Sequence, residues 1–171
     1  ESFKKSLEHL HLDSVDGLLI HSLEDTQDKS FPLLYQKIND MKKDGIIKKI
    51  GFSTYTPKDV DFILNNYDFD LVQLPFNVFD TRLIVGGQLK ALKNKGIEVH
   101  ARSIFLQGVL LDFINLPGYF QDWQKEFDRY QHLVNQSGLS LLQYALLFPL
   151  NVKEIDKVLV GVNNSQQLTD I

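Results

Sequence analysis

Short runs rich in β-branched and aliphatic residues alternate along this chain with longer segments that carry apolar residues at helical spacing. The runs predicted as strands are residues 15–21, 47–53, 71–76, 97–104 and 158–162. A repeated strand–helix order predicts a parallel sheet joined by right-handed crossovers. The run Leu18-Leu19-Ile20 shows no polar alternation, as expected of a strand covered on both faces. The pattern therefore predicts an α/β fold.

Local signals mark where the intervening helices begin and end. Thr56 followed by Pro57 predicts a capped helix start, and Ser30 is predicted to cap the preceding helix, which Gly45 ends. A loop is predicted over residues 106–119. Three further helices are predicted: one carrying Val85, Leu89 and Leu92, a polar one over residues 120–135, and a more apolar one over residues 140–148.

Two architectures fit this order of elements, a doubly wound sheet and a (β/α)8 barrel. Doubly wound dinucleotide-binding domains usually carry a GxGxxG loop after the first strand, and this sequence has none. The barrel is therefore favoured, although a full barrel needs eight strands and roughly 250 residues. Because the chain has 171 residues, we predict an incomplete (β/α)8 barrel in which residues 1–171 form a single domain.

Composition narrows the classes of partner. A formal net charge of −4 disfavours nucleic acid and anionic membranes, which select basic surfaces. The sequence has no cysteine, which excludes disulfides and thiolate chemistry and favours a reducing compartment. No segment is predicted to cross a membrane, and the first residues lack the apolar core of a signal peptide. We expect a cytoplasmic protein whose partner is neither a nucleic acid nor a membrane.

Hydrogen-bonding side chains occur around the end of every predicted strand. Each alone has an ordinary explanation, such as a helix cap, a buried histidine bonded to a backbone carbonyl, or an amide paired within the fold. In barrels, however, the loops that follow the strands form the pocket. The side chains are those of His21, Ser53, Thr54, Gln73, Asn77, Arg102, Ser103, Asn163 and Asn164. Together they predict a site for a flat polar ligand with a phosphate group, in which His21 is the one titratable catalytic candidate.

Five ordered segments resemble the aldo-keto reductase family. "SLEHLHLDSVDGLLIH" resembles the family's helix and strand that end in an active-site histidine, and "GIIKKIGFST" is similar to G-x-I-R-x-I-G-x-S-N. "VQLPFNVFD", "VHARSIFLQGVLL" and "VLVGVNNSQQLTDI" resemble three later family motifs. The resemblance implies a TIM barrel that binds NAD(P)H and reduces aldehydes and ketones. In such enzymes a tyrosine, tuned by a lysine and an aspartate, donates the proton and the histidine orients the carbonyl oxygen.

The resemblance also implies roles for twelve residues. His21 matches the active-site histidine, and Arg102 matches the position of a tyrosine that stacks on the nicotinamide ring. The other cofactor-binding positions, from the carboxamide through the pyrophosphate to the adenosine ribose, match Ser53, Thr54 and Gln73, then Ser103, Phe105 and Gln107, then Gly161, Asn163, Asn164 and Gln167.

The sequence departs from the family pattern at positions that bear on the cofactor, the substrate and catalysis. Members committed to NADPH commonly have Lys and Arg where this chain has Gly161 and Gln167, so NADP and NAD both remain candidates. Arg102 is planar and can stack as tyrosine does, but its charge suits an acidic substrate. The family's catalytic Asp, Tyr and Lys have no counterpart. We therefore expect a C-terminal portion containing strands 4–8, inactive on its own.

Two other functions stay open at this stage. The first is a non-catalytic barrel remnant or regulatory protein that binds a nucleotide or a partner. Its open strand edges would predict self-association. The second is an unrelated barrel hydrolase that uses His21 with a metal ion.

Overall fold

A parallel sheet forms the centre of the computed structural model, which describes residues 2–114, 116 and 118–171. Residues 115 and 117 of the predicted loop, and residue 1 of the predicted domain, lie outside the described residues. Within those ranges the sheet has five strands, adjacent in chain order. They are β1 (Val15–Ile20), β2 (Ile47–Ser53), β3 (Leu71–Pro75), β4 (Glu98–Arg102) and β5 (Lys157–Val158).

Helices follow every strand, as the sequence predicts. α1 (Ser2–Leu10) precedes β1, and short 3-10 segments lie at Leu23–Gln27, Leu106–Gly108 and Gly118–Trp123. The remaining helices are α2 (Phe31–Lys43), α3 (Pro57–Asn66), α4 (Arg82–Val85), α5 (Gln88–Asn94), α6 (Gln124–Ser137), α7 (Leu141–Leu150) and α8 (Ser165–Asp170). This arrangement is an α/β fold in the form of an incomplete (β/α)8 barrel.

The two faces of the sheet have different chemistry, because alternate residues of a strand point to opposite sides. The outer face packs against α2, α3 and α5 and is wholly apolar in its centre. Full burial of a Val, Leu, Ile or Phe side chain contributes about 1.5–3 kcal/mol to folding. Its most buried strand residues are Ile50, Phe52, Val72, Leu74, Val99 and Ala101.

Leu71 fills the middle of the inner face. A Cβ atom added at Gly17 would lie 2.7 Å from the Leu71 side chain, and one at Gly51 would lie 2.7 Å from its Cγ and 2.8 Å from its carbonyl oxygen. Because neither glycine has a side chain, the Leu71 side chain extends from β3 over Gly51 of β2 to Gly17 of β1. Leu71 itself is 2% exposed.

A cluster of charged groups lies on the inner face beside Leu71. The Glu98 carboxylate is 2.6 Å from His100 Nε2, 2.7 Å from Lys157 Nζ and 2.6 Å from Lys49 Nζ. Lys49 also pairs with Asp16 at 3.0 Å, so the cluster joins β1, β2, β4 and β5. Hydrogen bonds from His100, Lys157 and Lys49 hold the pKa of Glu98 well below its usual range.

Several predicted boundaries are confirmed. Thr56 caps α3 with a full capping box: its hydroxyl accepts from the Asp59 amide at 3.2 Å, and the Asp59 carboxylate accepts from the Thr56 amide at 2.8 Å. α2 ends one residue before Asp44, and Gly45 follows with φ +73°. Ser30 occupies the N-cap position of α2, but its hydroxyl donates to Asp28 instead of capping the helix.

Other predicted elements are wrong in extent. The single helix through Val85 and Leu89 is two helices, because Gly86 and Gly87 separate them and Gly87 has a left-handed φ of +82°. Val85 is 85% exposed instead of buried. The last strand, predicted over 158–162, is Lys157–Val158 only, and β4 is shorter than 97–104. The helix predicted from residue 120 begins as a 3-10 segment, and α6 starts at Gln124.

Candidate functional site

Several of the predicted site residues lie in the carboxyl-terminal parts of β1–β4 or in the residues that directly follow these strands. Ser53 pairs in register with Gln73, and Arg102 pairs with Pro75, so Ser53, Gln73 and Arg102 share the inner face. His21 follows the last residue of β1. Ser53 is 4% exposed, and Gln73 is half-buried. The parallel order of the strands brings these side chains to one edge of the sheet.

The Arg102 guanidinium is held by contacts from the segment after β2 and from the residue that follows it in the chain. Its Cζ lies 4.4 Å from the centroid of the Tyr55 ring. Nη2 donates to the Thr54 carbonyl at 3.1 Å, and Nη1 donates to the Ser103 hydroxyl at 3.3 Å. No carboxylate among residues 2–114, 116 and 118–171 forms an ion pair with it. The charge is therefore oriented but not neutralised.

Two of the buried polar side chains at this edge, Asn77 and Thr54, differ in whether their hydrogen-bonding groups have partners. Asn77 is fully engaged, since its Nδ2 donates to the Ser103 carbonyl at 3.1 Å and its Oδ1 accepts from the Asp80 amide at 3.0 Å. Thr54 is 1% exposed, and its Oγ1 has no hydrogen-bond partner within the described part of the chain. An unsatisfied buried hydroxyl costs about 1–3 kcal/mol, so Thr54 offers a donor and acceptor to a ligand.

A cavity of about 500 Å³ opens beside this edge, between the loop after β4, the side of α7 and the segment after β5. Its apolar wall includes Leu142 of α7, and its one acidic side chain is that of Asp170. Volumes of about 300–1,000 Å³ are typical of small-molecule sites. Six residues predicted to contact the dinucleotide line it: Ser103, Phe105, Gln107, Gly161, Asn163 and Gln167.

The loop that forms one wall of this cavity has an unusual backbone. Ser103, Leu106 and Gln107 have φ values of +57°, +48° and +57°, and Gly108 follows at +91°. Elsewhere in the described residues only His11 is a non-glycine with positive φ. Left-handed conformations cost of order 1–3 kcal/mol for residues with side chains. Such strain is typical of segments that shape a binding site.

The segment before α8 supports its own helix. Asn164 caps α8, with Oδ1 accepting from the Gln167 amide at 2.9 Å, and Gln167 Oε1 accepts from the Asn163 amide at 2.7 Å. Asn164 does not line the cavity. Its capping role is therefore the one with a structural basis, and its predicted contact with a cofactor stays a prediction.

His21 does not have the environment of a core histidine. Its side chain is exposed, and it forms no hydrogen bond or ion pair with the residues that the structure describes. The ordinary explanation, a buried ring bonded to a backbone carbonyl, is therefore wrong for His21. The ring is free to approach a ligand at the sheet edge.

The sequence gives no reason to assign Tyr55, Leu142 or Asp170 to the site. Tyr55 directly follows two predicted site residues, and this position is the only signal that could have found it. Leu142 reaches the cavity from the predicted apolar helix, where nothing distinguishes it from core leucines. Asp170 is the last residue of α8, and its carboxylate accepts a hydrogen bond from Gln166 Nε2 at 2.7 Å.

The model of the Aldo/keto reductase family matches residues 1–171. The chain belongs to this family. Aldo-keto reductases are oxidoreductases that generally use NAD(P)H. No curated protein matches the chain in sequence.

Solved structures of aldo-keto reductases share its fold at low sequence identity. The holo form of aldo-keto reductase AKR11C1 from Bacillus halodurans aligns with 99% of this chain and 58% of its own, at 20% identity and a TM-score of 0.76. The glycerol dehydrogenase AKR11B4 from Gluconobacter oxydans aligns with 99% of this chain and 60% of its own, at 18% identity and a TM-score of 0.68. The chain thus spans about three fifths of the length of these proteins.

Two further features concern residues 2–114, 116 and 118–171. None of the helices there is long and apolar enough to cross a membrane. No three His, Asp or Glu side chains in those ranges are grouped so that they could hold a metal ion.

Proposed function

We propose that this chain is the C-terminal part of an NAD(P)H-dependent aldo-keto reductase that reduces aldehydes or ketones. The observation that supports this most directly is that six residues assigned to the cofactor from the sequence line one cavity of about 500 Å³. In this proposal the dinucleotide lies along the carboxyl ends of the strands, with its adenosine half in the cavity. Its nicotinamide half then lies over Ser53, Gln73 and Arg102.

The residues present fit a nicotinamide dinucleotide. The unpaired hydroxyl of Thr54, with the side chains of Ser53 and Gln73, supplies hydrogen-bonding groups for a carboxamide. Phe105 offers an apolar surface within the cavity, and Gln107 offers an amide beside it. The cofactor, when bound, supplies the hydride, and the protein orients it.

The charge of the cavity favours NAD over NADP. Among the described lining residues there is no Lys or Arg, and Asp170 is the one charged side chain. A 2′-phosphate would find no cation there and would meet a carboxylate, whereas a ribose 2′-hydroxyl can donate to a carboxylate. We therefore propose NADH as the preferred reduced cofactor.

The chain's own residues would bind and orient the reactants. His21, exposed at the end of β1, would donate a hydrogen bond to the carbonyl oxygen and stabilise the developing alkoxide. The proposal places the proton donor outside these 171 residues. Tyr35 donates to the Asp68 carbonyl, and burial raises the pKa of Tyr130 to about 12, so neither phenol is prepared to act as an acid at the sheet edge.

Isothermal titration calorimetry of the 171-residue chain with NADH and NADPH tests the proposal. We expect NADH to bind at least about tenfold more tightly, and Asp170→Lys to reduce that preference because it supplies a cation for the 2′-phosphate. Lys90→Ala, on the exposed side of α5, is the matched control and should change neither affinity. A folded chain that binds neither dinucleotide would refute the proposed function.

The open sheet favours a second candidate, a binding protein that assembles through its edges. In the described part of the chain, β1 pairs only with β2, and β5 pairs only with β4, so both edges present unpaired backbone groups. Light scattering of the chain should then show a dimer or larger species. A monomer over a range of concentrations would exclude this candidate. A cytoplasmic location belongs to both proposals and rests on the sequence without cysteine.

A further inference from the structure

Arg102 is a fixed positive charge at the edge of the sheet where the proposed nicotinamide half lies. It is the last residue of β4, on the inner face shared with Ser53 and Gln73. The next residue, Ser103, is the first that lines the cavity. Arg102 therefore stands between the strand ends and the cavity, at the junction of the two halves of the proposed site.

The guanidinium cannot easily move away from this position. The Tyr55 ring lies 4.4 Å from its Cζ, and hydrogen bonds to the Thr54 carbonyl and the Ser103 hydroxyl fix the plane of the group. Thr54 and Tyr55 follow β2 and Ser103 follows β4, so the contacts come from the segments beyond the ends of two strands that flank β3. Each of the three partners is neutral, and none removes the charge.

A nicotinamide ring differs in charge between its two redox states. The oxidised ring is a cation, whereas the reduced ring is neutral. A nearby guanidinium therefore repels only the oxidised form, while it can stack on either. We propose that Arg102 makes the site discriminate between the redox states of the cofactor, so that the reduced dinucleotide binds more tightly than the oxidised one. This inference rests on the proposed function, which places the ring over the ends of β2–β4.

The size of the preference follows from the Coulomb interaction of two unit charges. Separated by about 4 Å in bulk water, they repel each other enough to weaken binding roughly fivefold. The effect grows as the site loses water, since the effective dielectric constant falls. We expect a preference for the reduced form of at least about fivefold that depends on the charge of Arg102.

The test measures the dissociation constant of NAD⁺ divided by that of NADH, by calorimetry on the full 171-residue chain. Arg102→Met removes the charge and keeps an unbranched side chain, and its ratio should fall at least about fivefold. Arg102→Lys keeps the charge and should retain most of the preference. Arg129→Met, on the exposed side of α6, is the control for loss of an arginine elsewhere and should leave the ratio unchanged.

Salt provides a second measurement that requires no variant. Raising the ionic strength from about 0.01 M to 1 M shortens the screening length from about 30 Å to 3 Å. The dissociation constant of NAD⁺ divided by that of NADH should therefore decrease for the unmodified chain. If both forms bind and the ratio is the same with Arg102→Met, or does not change with salt, the inference is wrong while the proposed function stands. If a folded chain binds neither form, the proposed function fails and the inference fails with it.

Discussion

The close approach of Leu71 to Gly51 predicts whether Gly51→Ala stabilises or destabilises the fold. Two effects compete, the lower entropy of the unfolded chain and steric overlap in the folded one. A glycine-to-alanine change at an unobstructed position stabilises a protein by about 0.4–1 kcal/mol, because it restricts the unfolded chain. At Gly51 the new methyl group would meet Leu71 Cγ at 2.7 Å, its Cδ1 at 2.9 Å and its carbonyl oxygen at 2.8 Å. The carbonyl belongs to the backbone of a central strand and cannot rotate away. We therefore expect Gly51→Ala to destabilise the fold.

Overpacking of this kind costs about 1–3 kcal/mol, and the upper part of that range is expected because a backbone atom is involved. Since 1 kcal/mol shifts the thermal midpoint of a chain of this length by about 2–4 °C, a loss of about 2–3 kcal/mol should lower it by about 4–12 °C. The matched control is Gly118→Ala, where an added Cβ meets nothing within 4 Å. It should be neutral or slightly stabilising.

Urea unfolding followed by circular dichroism measures both variants. The combination of Gly51→Ala with Leu71→Ala separates the two contributions, because the second change removes the side-chain clash and leaves the carbonyl clash. We expect a partial rescue relative to the sum of the single changes. Equal stability of Gly51→Ala and the unmodified chain, or an equal loss in Gly118→Ala, would refute the reasoning.

Three further substitutions test the contacts of single side chains. Because its partners hold the pKa of Glu98 below the ordinary value of 4.5, Glu98 stabilises the fold above that pH, and this contribution is lost as the pH falls. Urea midpoints measured from pH 6 to pH 3 should therefore decline less in Glu98→Gln than in the unmodified chain; parallel profiles would contradict the assignment. Thr56→Ala should lower the free energy of unfolding by about 1 kcal/mol, since it removes the cap of α3. Ser30→Ala should cost α2 less, because its hydroxyl bonds to Asp28 and not to the helix; equal losses in these two variants would show that capping does not set the difference.

Sequence patterns predict the parts of this fold that depend on neighbouring residues. Thr56 with Pro57 marks a helix start in four consecutive residues, and the structure has the helix there. The glycine pair at 86–87 shows the limit of such patterns. The apolar spacing of Val85 and Leu89 suggests one helix, and the left-handed Gly87 divides it.

The site shows the same division between local and distant determinants. Residues at strand ends are found from the chain order, because parallel strands place their ends together. The contact of Arg102 with Tyr55 joins residues 47 positions apart, and no periodicity indicates it. Residue propensities do not predict the left-handed backbone at Leu106 and Gln107 either, since neither residue type favours this conformation.

The charged cluster on the inner face has a consequence for how this sequence can change. Glu98 is the shared anion of Lys49, Lys157 and His100, so removing it alone would take the carboxylate from Lys157 and His100 and leave Lys49 with Asp16 only. Replacing either lysine alone would leave the carboxylate short of a partner. A change at one of these residues therefore requires changes at the others. We expect homologous or redesigned sequences to keep the whole set or to replace all of it with apolar residues.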